Sequence, residues 1–226
     1  MQYEINDMSR DDSWRMFRII GETVNGFDKL AGVEPAVAIY GSARLGVDDP
    51  LYDTTVEIAR LLGGTGFNII TGGGPGVMEA ANKGGMEAGV ESIGLNIELP
   101  QEQAANKFAT KTLEFDHFFV RKVMLVKYAT AFVIMPGGLG TMDELSEILT
   151  LMQTLKIKPF PVILFDSAFW QGFLDWLHTA VAPRHYISES DFDLLRVCDD
   201  PANVVEIVQA WYLKQQIVGR KAMNRS

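Results

Sequence analysis

Short apolar runs alternate with segments of helical periodicity along most of the chain. The apolar runs predict strands, and they read AVAIYGS, FNIITGGG, SIGLNIE, KTLEF, AFVIMPGG, PVILFD and LLRVCDD. Helical patterns follow most of them, at 52–62, 77–88, 117–128, 141–155, 168–180 and 201–213. Strands that are apolar throughout and are separated by helices are typical of a parallel sheet covered on both faces. The pattern therefore predicts a Rossmann-like, doubly wound α/β fold of about seven strands.

An amphipathic helix is predicted ahead of the first strand, within a helical extension over residues 1–34. Ser9-Arg10-Asp11-Asp12 would begin this helix. Its apolar stripe repeats at spacings of three and four residues and consists of Trp14, Phe17, Ile20, Val24, Phe27 and Leu30. The stripe has to be covered either by the chain's own domain or by another subunit, and periodicity does not choose between these. The tail 214–226 shows little pattern, and we expect it to be frayed.

Composition and charge narrow the class of protein. With 226 residues, of which 47% are hydrophobic, the chain can bury the core of one domain spanning 1–226. The formal net charge of −9 offers no global positive field for a nucleic acid or an anionic membrane. No signal peptide or run of roughly 20 apolar residues is present, so we expect a soluble cytoplasmic protein. Cys198, the single cysteine, excludes an internal disulfide.

Three glycine-rich turns follow predicted strands, at 40–46 (YGSARLG), 71–79 (TGGGPGVME) and 136–144 (PGGLGTMDE). In an open parallel sheet, ligands bind beyond the carboxyl ends of the strands, where such turns lead into helix N-termini. One glycine turn can serve backbone geometry alone, but three in one fold favour a phosphorylated ligand held by backbone N–H groups. The candidate binding residues in these turns are Gly41, Ser42, Arg44, Gly73, Gly74, Glu79, Gly137, Gly138, Leu139, Gly140 and Thr141.

Two common nucleotide-binding fingerprints do not fit these turns. The spacing G-x-G-x-x-G fails, because its last position falls on Val77 or Asp143. The Gly-Lys-Ser/Thr sequence of a Walker A loop occurs nowhere in the chain. A conventional dinucleotide dehydrogenase and a P-loop NTPase are both disfavoured.

Charged residues near the third turn have two interpretations each. Thr141 and Glu144 fit the pattern of a helix capping box, yet Glu144 could equally present a carboxylate to a bound ligand. Arg121 and Lys122 could be snorkelling surface side chains, or they could supply the cations that an anion site needs. No cluster of His, Cys and acidic residues is evident, so we expect neither a metal nor another cofactor.

Together, GGGPGVMEAANKG, FFVRK and PGGLGTMDE resemble the LOG family, named after plant enzymes that activate cytokinins and earlier described as lysine decarboxylases. The resemblance runs from about Ala36 through the helix after PVILFD. It implies a Rossmann-like homodimer that hydrolyses the N-glycosidic bond of a nucleoside 5′-monophosphate, of the AMP or cytokinin riboside type. The products would be the free base and ribose 5-phosphate.

By position, the catalytic arginine and glutamate of the LOG family fall on Arg121 and Glu144. Lys122, the loop from Gly137 through Thr141, and Thr150 match positions that line the family's nucleotide site. Glu102 matches a family glutamate after the third strand. The chain has Phe118-Phe119 where the plant enzymes have Met-His, and GGGPGVMEA where they have GGGxxGLMG. These departures resemble a bacterial branch with an N-terminal helical extension.

Breaking the C1′–N bond of a ribose develops oxocarbenium character on the sugar, which a carboxylate near C1′ stabilises. We expect Glu144 in this role and in activating water, with Arg121 orienting the phosphate, the ribose or Glu144 itself. One alternative is a phosphate-binding carrier without chemistry, similar to molybdenum cofactor carriers, which would not require both residues. A decarboxylase would use pyridoxal phosphate on a lysine, and nothing singles out Lys83, Lys122 or Lys127.

Overall fold

A computed structural model describes residues 12–98 and 106–223, in which helices cover both faces of one sheet. The strands are β1 (Ala36–Tyr40), β2 (Asn68–Thr71), β3 (Ser92–Ile97), β4 (Lys111–Phe115), β5 (Ala131–Ile134), β6 (Val162–Phe165) and β7 (Leu195–Cys198). They form a seven-stranded sheet in the order β4-β3-β2-β1-β5-β6-β7, and every neighbouring pair is parallel. The predicted doubly wound α/β fold is confirmed.

The helices are α1 (Asp12–Lys29), α2 (Pro50–Gly64), α3 (Val77–Glu87), α4 (Phe118–Lys127), α5 (Leu139–Gln153), α6 (Ser167–Trp176) and α7 (Pro201–Met223). Short π and 3₁₀ turns continue α6 as far as Arg184, and a further 3₁₀ turn leads into β7. Within the described residues, no helix has both the length and the apolar character needed to cross a membrane. Residues 214–223, for which the sequence predicts a frayed tail, are helical, because α7 continues through a stretch without proline.

The two faces of the sheet bury separate sets of side chains. Along β1, Ala36, Ala38 and Tyr40 face α4 and α5, whereas Val37 and Ile39 face α2, α3 and α7. This division follows from the alternation of side chains along a strand. Tyr40, the last residue of β1, therefore points its side chain toward the same layer as α4 and α5.

The strand order reverses between β1 and β5, which is where an open α/β sheet binds its ligands. Tyr40 lies beside Ile134 in the register of these two strands. Beyond their ends, Ser42 N donates to Pro136 O at 3.0 Å, and Val77 N donates to Ser42 O at 3.0 Å. Backbone hydrogen bonds thus tie all three glycine-rich turns together at one edge of the sheet.

Helix α1 packs on α4 with its less apolar side. Glu22 Oε1 lies 2.8 Å from His117 Nδ1, and a Cβ on Gly26 would come within 2.9 Å of the Met124 side chain. The predicted apolar stripe is buried at its last member, Leu30, but Phe17 is 67% exposed. The other exposed members are Trp14, Ile20, Val24 and Phe27. The chain's own domain therefore leaves these five side chains of the stripe exposed.

Gly73, in the turn after β2, should not tolerate a side chain. Its φ of +73° is unfavourable for L-residues, and an added Cβ would overlap Asn96 Oδ1. We expect Gly73→Ala to lower the free energy of unfolding by at least about 1–3 kcal/mol, measured by urea denaturation. Gly64→Ala is the matched control, because a Cβ there meets nothing within 4 Å. Equal stability of the Gly73→Ala variant and the control would contradict this account of the turn.

Candidate active site

A cleft of about 610 Å³ opens at the carboxyl edge of the sheet, where the strand order reverses. Its walls come from the turns after β1, β2 and β5 and from helices α3, α4 and α5. The lining residues are Tyr40, Gly41, Ser42, Ala43, Arg44, Gly72, Met78, Ile97, Phe118, Arg121, Leu125, Gly138, Leu139, Gly140, Thr141, Asp143 and Glu144.

The N-terminus of α5 forms one side of the cleft. Gly138 is its N-cap and makes no side-chain capping bond, so Thr141 lies inside the first turn of the helix. The capping-box interpretation of Thr141 and Glu144 is therefore wrong, because the helix begins three residues earlier than that motif requires. The first N–H groups of a helix have no partner within it, and the helix dipole favours negative charge there. Since Leu139, Gly140 and Thr141 line the cleft, their N–H groups form a candidate anion site.

Arg121 on α4 and Glu144 on α5 form an ion pair at the floor of the cleft. Arg121 Nη2 lies 3.5 Å from Glu144 Oε1, and the two side chains are only 12% and 9% exposed. Burial raises the pKa of Glu144, although the positive charges of Arg121 and Lys122 oppose that shift. Burial also lowers the pKa of Arg121, while Glu144 raises it. The carboxyl of Glu144 can thus take up a proton at a higher pH than an exposed glutamate does.

Three residues that line this cleft each carry a buried polar atom with no hydrogen-bond partner among the described residues. These atoms are Glu144 Oε2, Arg121 Nε and the Tyr40 hydroxyl. A buried polar group without a partner costs free energy, so native structures contain few of them. Their convergence on one cleft favours recognition of a polar ligand there.

The first glycine turn contributes directly to the cleft, and the second lies largely behind it. Gly41, Ser42 and Arg44 all line the cleft. Gly73 and Gly74 do not, and a buried network holds their turn, with Gly73 N donating to Thr71 Oγ1 at 2.9 Å. Asn106 Nδ2 donates to Gly74 O at 3.1 Å and to Asn82 Oδ1 at 2.9 Å. The second turn therefore shapes the cleft wall through Gly72 and Met78.

Four other candidates lie away from the cleft walls. Glu79 accepts a hydrogen bond from the Tyr52 hydroxyl at 3.2 Å, and Gly137 precedes the lining residues of α5. Lys122 Nζ pairs with Asp143 Oδ2 at 2.7 Å and with Glu147 Oε2 at 3.1 Å. Thr150 is exposed and donates to Ser146 O at 2.8 Å. Glu102, the remaining candidate, lies outside the described residues.

The sequence did not single out the apolar wall of the cleft or Tyr40. This wall consists of Met78, Ile97, Phe118, Leu125 and Leu139. Phe118 is half exposed, and its ring centroid lies 5.3 Å from the Arg121 guanidinium carbon. Tyr40 could have been predicted as a cleft residue, because it is the last residue of a strand that ends at a glycine turn. An anion-binding helix end, a buried acid and an apolar wall together suit a phosphorylated ligand that carries a flat ring.

Comparison with known proteins found one matching family model and relatives that are named phosphoribohydrolases. A family model described as "Possible lysine decarboxylase" matches residues 78–208, more than half of the chain. The "Cytokinin riboside 5'-monophosphate phosphoribohydrolase LOG" of Oryza sativa subsp. japonica is 28% identical over 149 residues, covering 65% of this chain and 61% of that protein. The chain thus spans less than two thirds of the rice relative. The "Cytokinin riboside 5'-monophosphate phosphoribohydrolase" of Mycobacterium tuberculosis is 26% identical over 167 residues, covering 73% of this chain and 88% of that protein.

Solved structures show a shared fold at lower identity. The molybdenum cofactor carrier protein from Chlamydomonas reinhardtii superposes with a TM-score of 0.56 at 21% identity. That superposition covers 79% of this chain and 98% of the algal one. This chain thus shares its fold with a carrier protein. The fold alone therefore does not tell an enzyme from a carrier, and the residues of the cleft have to be considered.

Removing Arg121 should destabilise the protein through Glu144. Because both side chains are nearly buried, we expect Arg121→Ala to cost about 3–5 kcal/mol of unfolding free energy at neutral pH. Without the arginine, the folded-state pKa of Glu144 rises further above its unfolded value. The loss of unfolding free energy is therefore complete at a pH above the pKa that Glu144 has in the folded variant. It disappears below the pKa of about 4.3 that Glu144 has in the unfolded chain, because the carboxyl is then neutral in both states.

Urea denaturation of Arg121→Ala at neutral pH and at the lowest pH at which the fold persists would measure this effect. Lys122→Ala, whose partner Asp143 is 61% exposed, should lose less stability. The double variant Arg121→Met/Glu144→Leu, which removes both charges, should recover most of the loss. A deficit that does not change with pH would mean that Arg121 contributes packing and not charge.

Proposed function

Because the chain belongs to the LOG family, which the matching model describes as possible lysine decarboxylases, we propose that it is a phosphoribohydrolase of nucleoside 5′-monophosphates. It would hydrolyse the N-glycosidic bond of a nucleotide of the AMP or cytokinin riboside type, giving the free base and ribose 5-phosphate. The named activity of the rice and mycobacterial relatives supports this reaction class. The single observation that carries the proposal is the buried Arg121–Glu144 pair beside the N-terminus of α5.

The phosphate group fits the first turn of α5. Backbone N–H groups of Leu139, Gly140 and Thr141 would donate to its oxygens, and the helix dipole would add to the attraction. Arg44 and Arg121 are the cationic side chains that line the cleft among the described residues. A local site of this kind compensates for the net charge of −9, which would otherwise repel an anion.

Glu144 has the surroundings of a residue that moves protons. Burial raises its pKa, which brings the carboxyl closer to the pH at which a general base works best. In its ionised form the carboxylate also stabilises positive charge that develops at C1′ as the glycosidic bond breaks. Arg121 holds Oε1 of Glu144 in place and leaves Oε2 free for the reacting atoms.

The apolar wall provides a place for the base. Phe118 and Leu139 are 51% and 89% exposed, and both line the cleft. A purine ring that covered them would remove apolar surface from water. The phosphate subsite, this wall and Glu144 all line one cleft, so we expect the sugar of a bound nucleotide to lie close to Glu144.

The positions of the lysines argue against a pyridoxal phosphate enzyme. Among the described residues, no lysine lines the cleft. Lys122 is paired with acids on α5, and Lys127 lies over the Phe27 and Tyr128 rings. Lys83 lies over the Tyr52 ring, 5.7 Å from its centroid. None of them is placed to form a Schiff base with a ligand in the cleft.

We also propose that a second copy of the chain covers the exposed side of α1. The stripe carries five large apolar side chains, of which Phe17 and Trp14 are 67% and 64% exposed. On the neighbouring helix α4, Phe119 and Val123 are half exposed as well. Large apolar side chains exposed together on two neighbouring helices are typical of an interaction site.

Base release from nucleotides tests the proposed reaction. Purified protein is incubated with a panel of nucleoside 5′-monophosphates and the matching nucleosides, and free base is measured by chromatography. We expect base from the monophosphates only, because the phosphate fixes the sugar against Glu144. Glu144→Gln should lower the rate by about 10²-fold or more, since it removes the proton acceptor but keeps the shape.

Glu147→Gln is the matched control for this experiment. Glu147 lies one turn further along α5, pairs with Lys122 and does not line the cleft, so its variant should keep base release. Tight binding of nucleotides without any base release would instead favour the carrier function, since the fold is shared with a carrier.

The dimer proposal predicts a mass of twice 25.1 kDa in solution by light scattering after size exclusion. Phe17→Glu should shift the protein to the monomer mass, because it places a charge in the apolar contact. Tyr186→Glu is the control, since Tyr186 is 75% exposed but lies after α6 and not on α1. A monomeric wild-type protein would refute the proposal.

A further inference from the structure

Tyr40 occupies a fixed position at the point where strand order reverses. It ends β1, and its backbone O accepts a hydrogen bond from Met135 N at 2.8 Å. Its ring stacks on Phe132, with the centroids 5.6 Å apart and the planes 18° from parallel. The residue is only 5% exposed, yet it lines the cleft. The phenol is therefore held at the floor of the cleft by the sheet and the core.

The hydroxyl of Tyr40 makes no hydrogen bond that would stabilise the fold within residues 12–98 and 106–223. It is buried and has no hydrogen-bond partner among the described residues, so a phenylalanine would fill the same space at lower cost. Glu144 Oε2 also has no partner among the described residues, and Glu144 lines the same cleft. A donor and an acceptor that both lack partners point to a small polar species between them.

The protonation states of the two groups are complementary. Burial, reinforced by the negative charge of Glu144, raises the pKa of Tyr40 well above its usual value. Arg121 lowers that pKa, and the acid Glu147 raises it. The phenol therefore stays neutral and can donate a hydrogen bond throughout the working pH range. Ionised Glu144 offers Oε2 as an acceptor, because Oε1 already faces Arg121.

Hydrolysis requires a water molecule, which can both accept a hydrogen bond from Tyr40 and donate one to Glu144. The attacking water has to be oriented toward C1′ while it gives up a proton. A water molecule in a buried site needs two to four polar partners. Tyr40 and Glu144 line the same cleft and can supply one donor and one acceptor to such a water.

We propose that the Tyr40 hydroxyl donates a hydrogen bond to the water that attacks C1′, while Glu144 Oε2 accepts a proton from the same water. In this step the water oxygen bonds to C1′, and the C1′–N bond breaks with its electron pair passing to the base. The proton taken up by Glu144 is then delivered to the leaving nitrogen, so nucleotide and water give free base and ribose 5-phosphate. The assignment rests on the phosphoribohydrolase function proposed above.

Tyr40→Phe tests this role, because it keeps the ring and removes only the oxygen. Loss of the donor leaves the water misoriented, and a displacement of about 1 Å can cost about 10²-fold in rate. We expect kcat to fall by about 10²-fold with KM changed only a few-fold, in steady-state assays of base release. The unfolding free energy should not decrease, because the hydroxyl that is removed has no partner.

Tyr128→Phe is the matched control. Tyr128 is buried in the same core, does not line the cleft, and donates its hydroxyl to Phe27 O at 3.3 Å. Tyr128→Phe should keep kcat and lose some unfolding free energy. Tyr40→Phe should instead lose kcat and keep its unfolding free energy.

Other outcomes would overturn the assignment. An unchanged kcat in Tyr40→Phe, with an active wild-type protein, would exclude the role of Tyr40 and leave the proposed function intact. An effect that disappears with 2′-deoxynucleoside 5′-monophosphates would place the phenol on the 2′-hydroxyl and not on water. No base release by the wild-type protein would overturn both the proposed function and this inference.

Discussion

The crossovers of this fold run in opposite directions on the two sides of the β1–β5 pair, so the turns that follow these strands diverge and leave an opening between them. Two backbone hydrogen bonds, from Ser42 N to Pro136 O and from Val77 N to Ser42 O, fix the edges of that opening. The N-terminus of α5, the Arg121–Glu144 pair and the Tyr40 hydroxyl are all placed by this one feature of the topology. Their chemistry depends on the sheet more than on any single loop.

The cleft combines features that are unfavourable for stability. A carboxylate and a guanidinium are withdrawn from water, and three polar atoms around them lack partners among the described residues. The surrounding core, in which Phe132, Leu145 and Ile148 are fully buried, supplies the rigidity that keeps these groups in place. Strain and unpaired groups of this kind are tolerated where a ligand makes use of them.

The strands and the glycine turns could be predicted from the sequence, because buried parallel strands appear as uninterrupted apolar runs. The start of α5 could not, since Gly138 acts as N-cap without any side-chain signal, whereas Thr141 and Glu144 imitate one. The outward direction of the α1 stripe also escaped prediction. Periodicity shows that a helix has an apolar side, but the contact of Gly26 with Met124 decides which side faces the domain. Tyr40 was missed because only a three-dimensional structure shows that its hydroxyl is buried and without a partner among the described residues.

The attachment of α1 has a consequence for how this protein can be engineered. Glu22 contacts both the ring and the backbone N of His117, which is the N-cap of α4, and Arg121 N donates to the O of that same histidine. The helix that carries the guanidinium is thus anchored at its start by the helix that precedes the sheet. A fusion partner or an immobilisation tag that pulls on α1 would therefore transmit its load to the helix that carries Arg121.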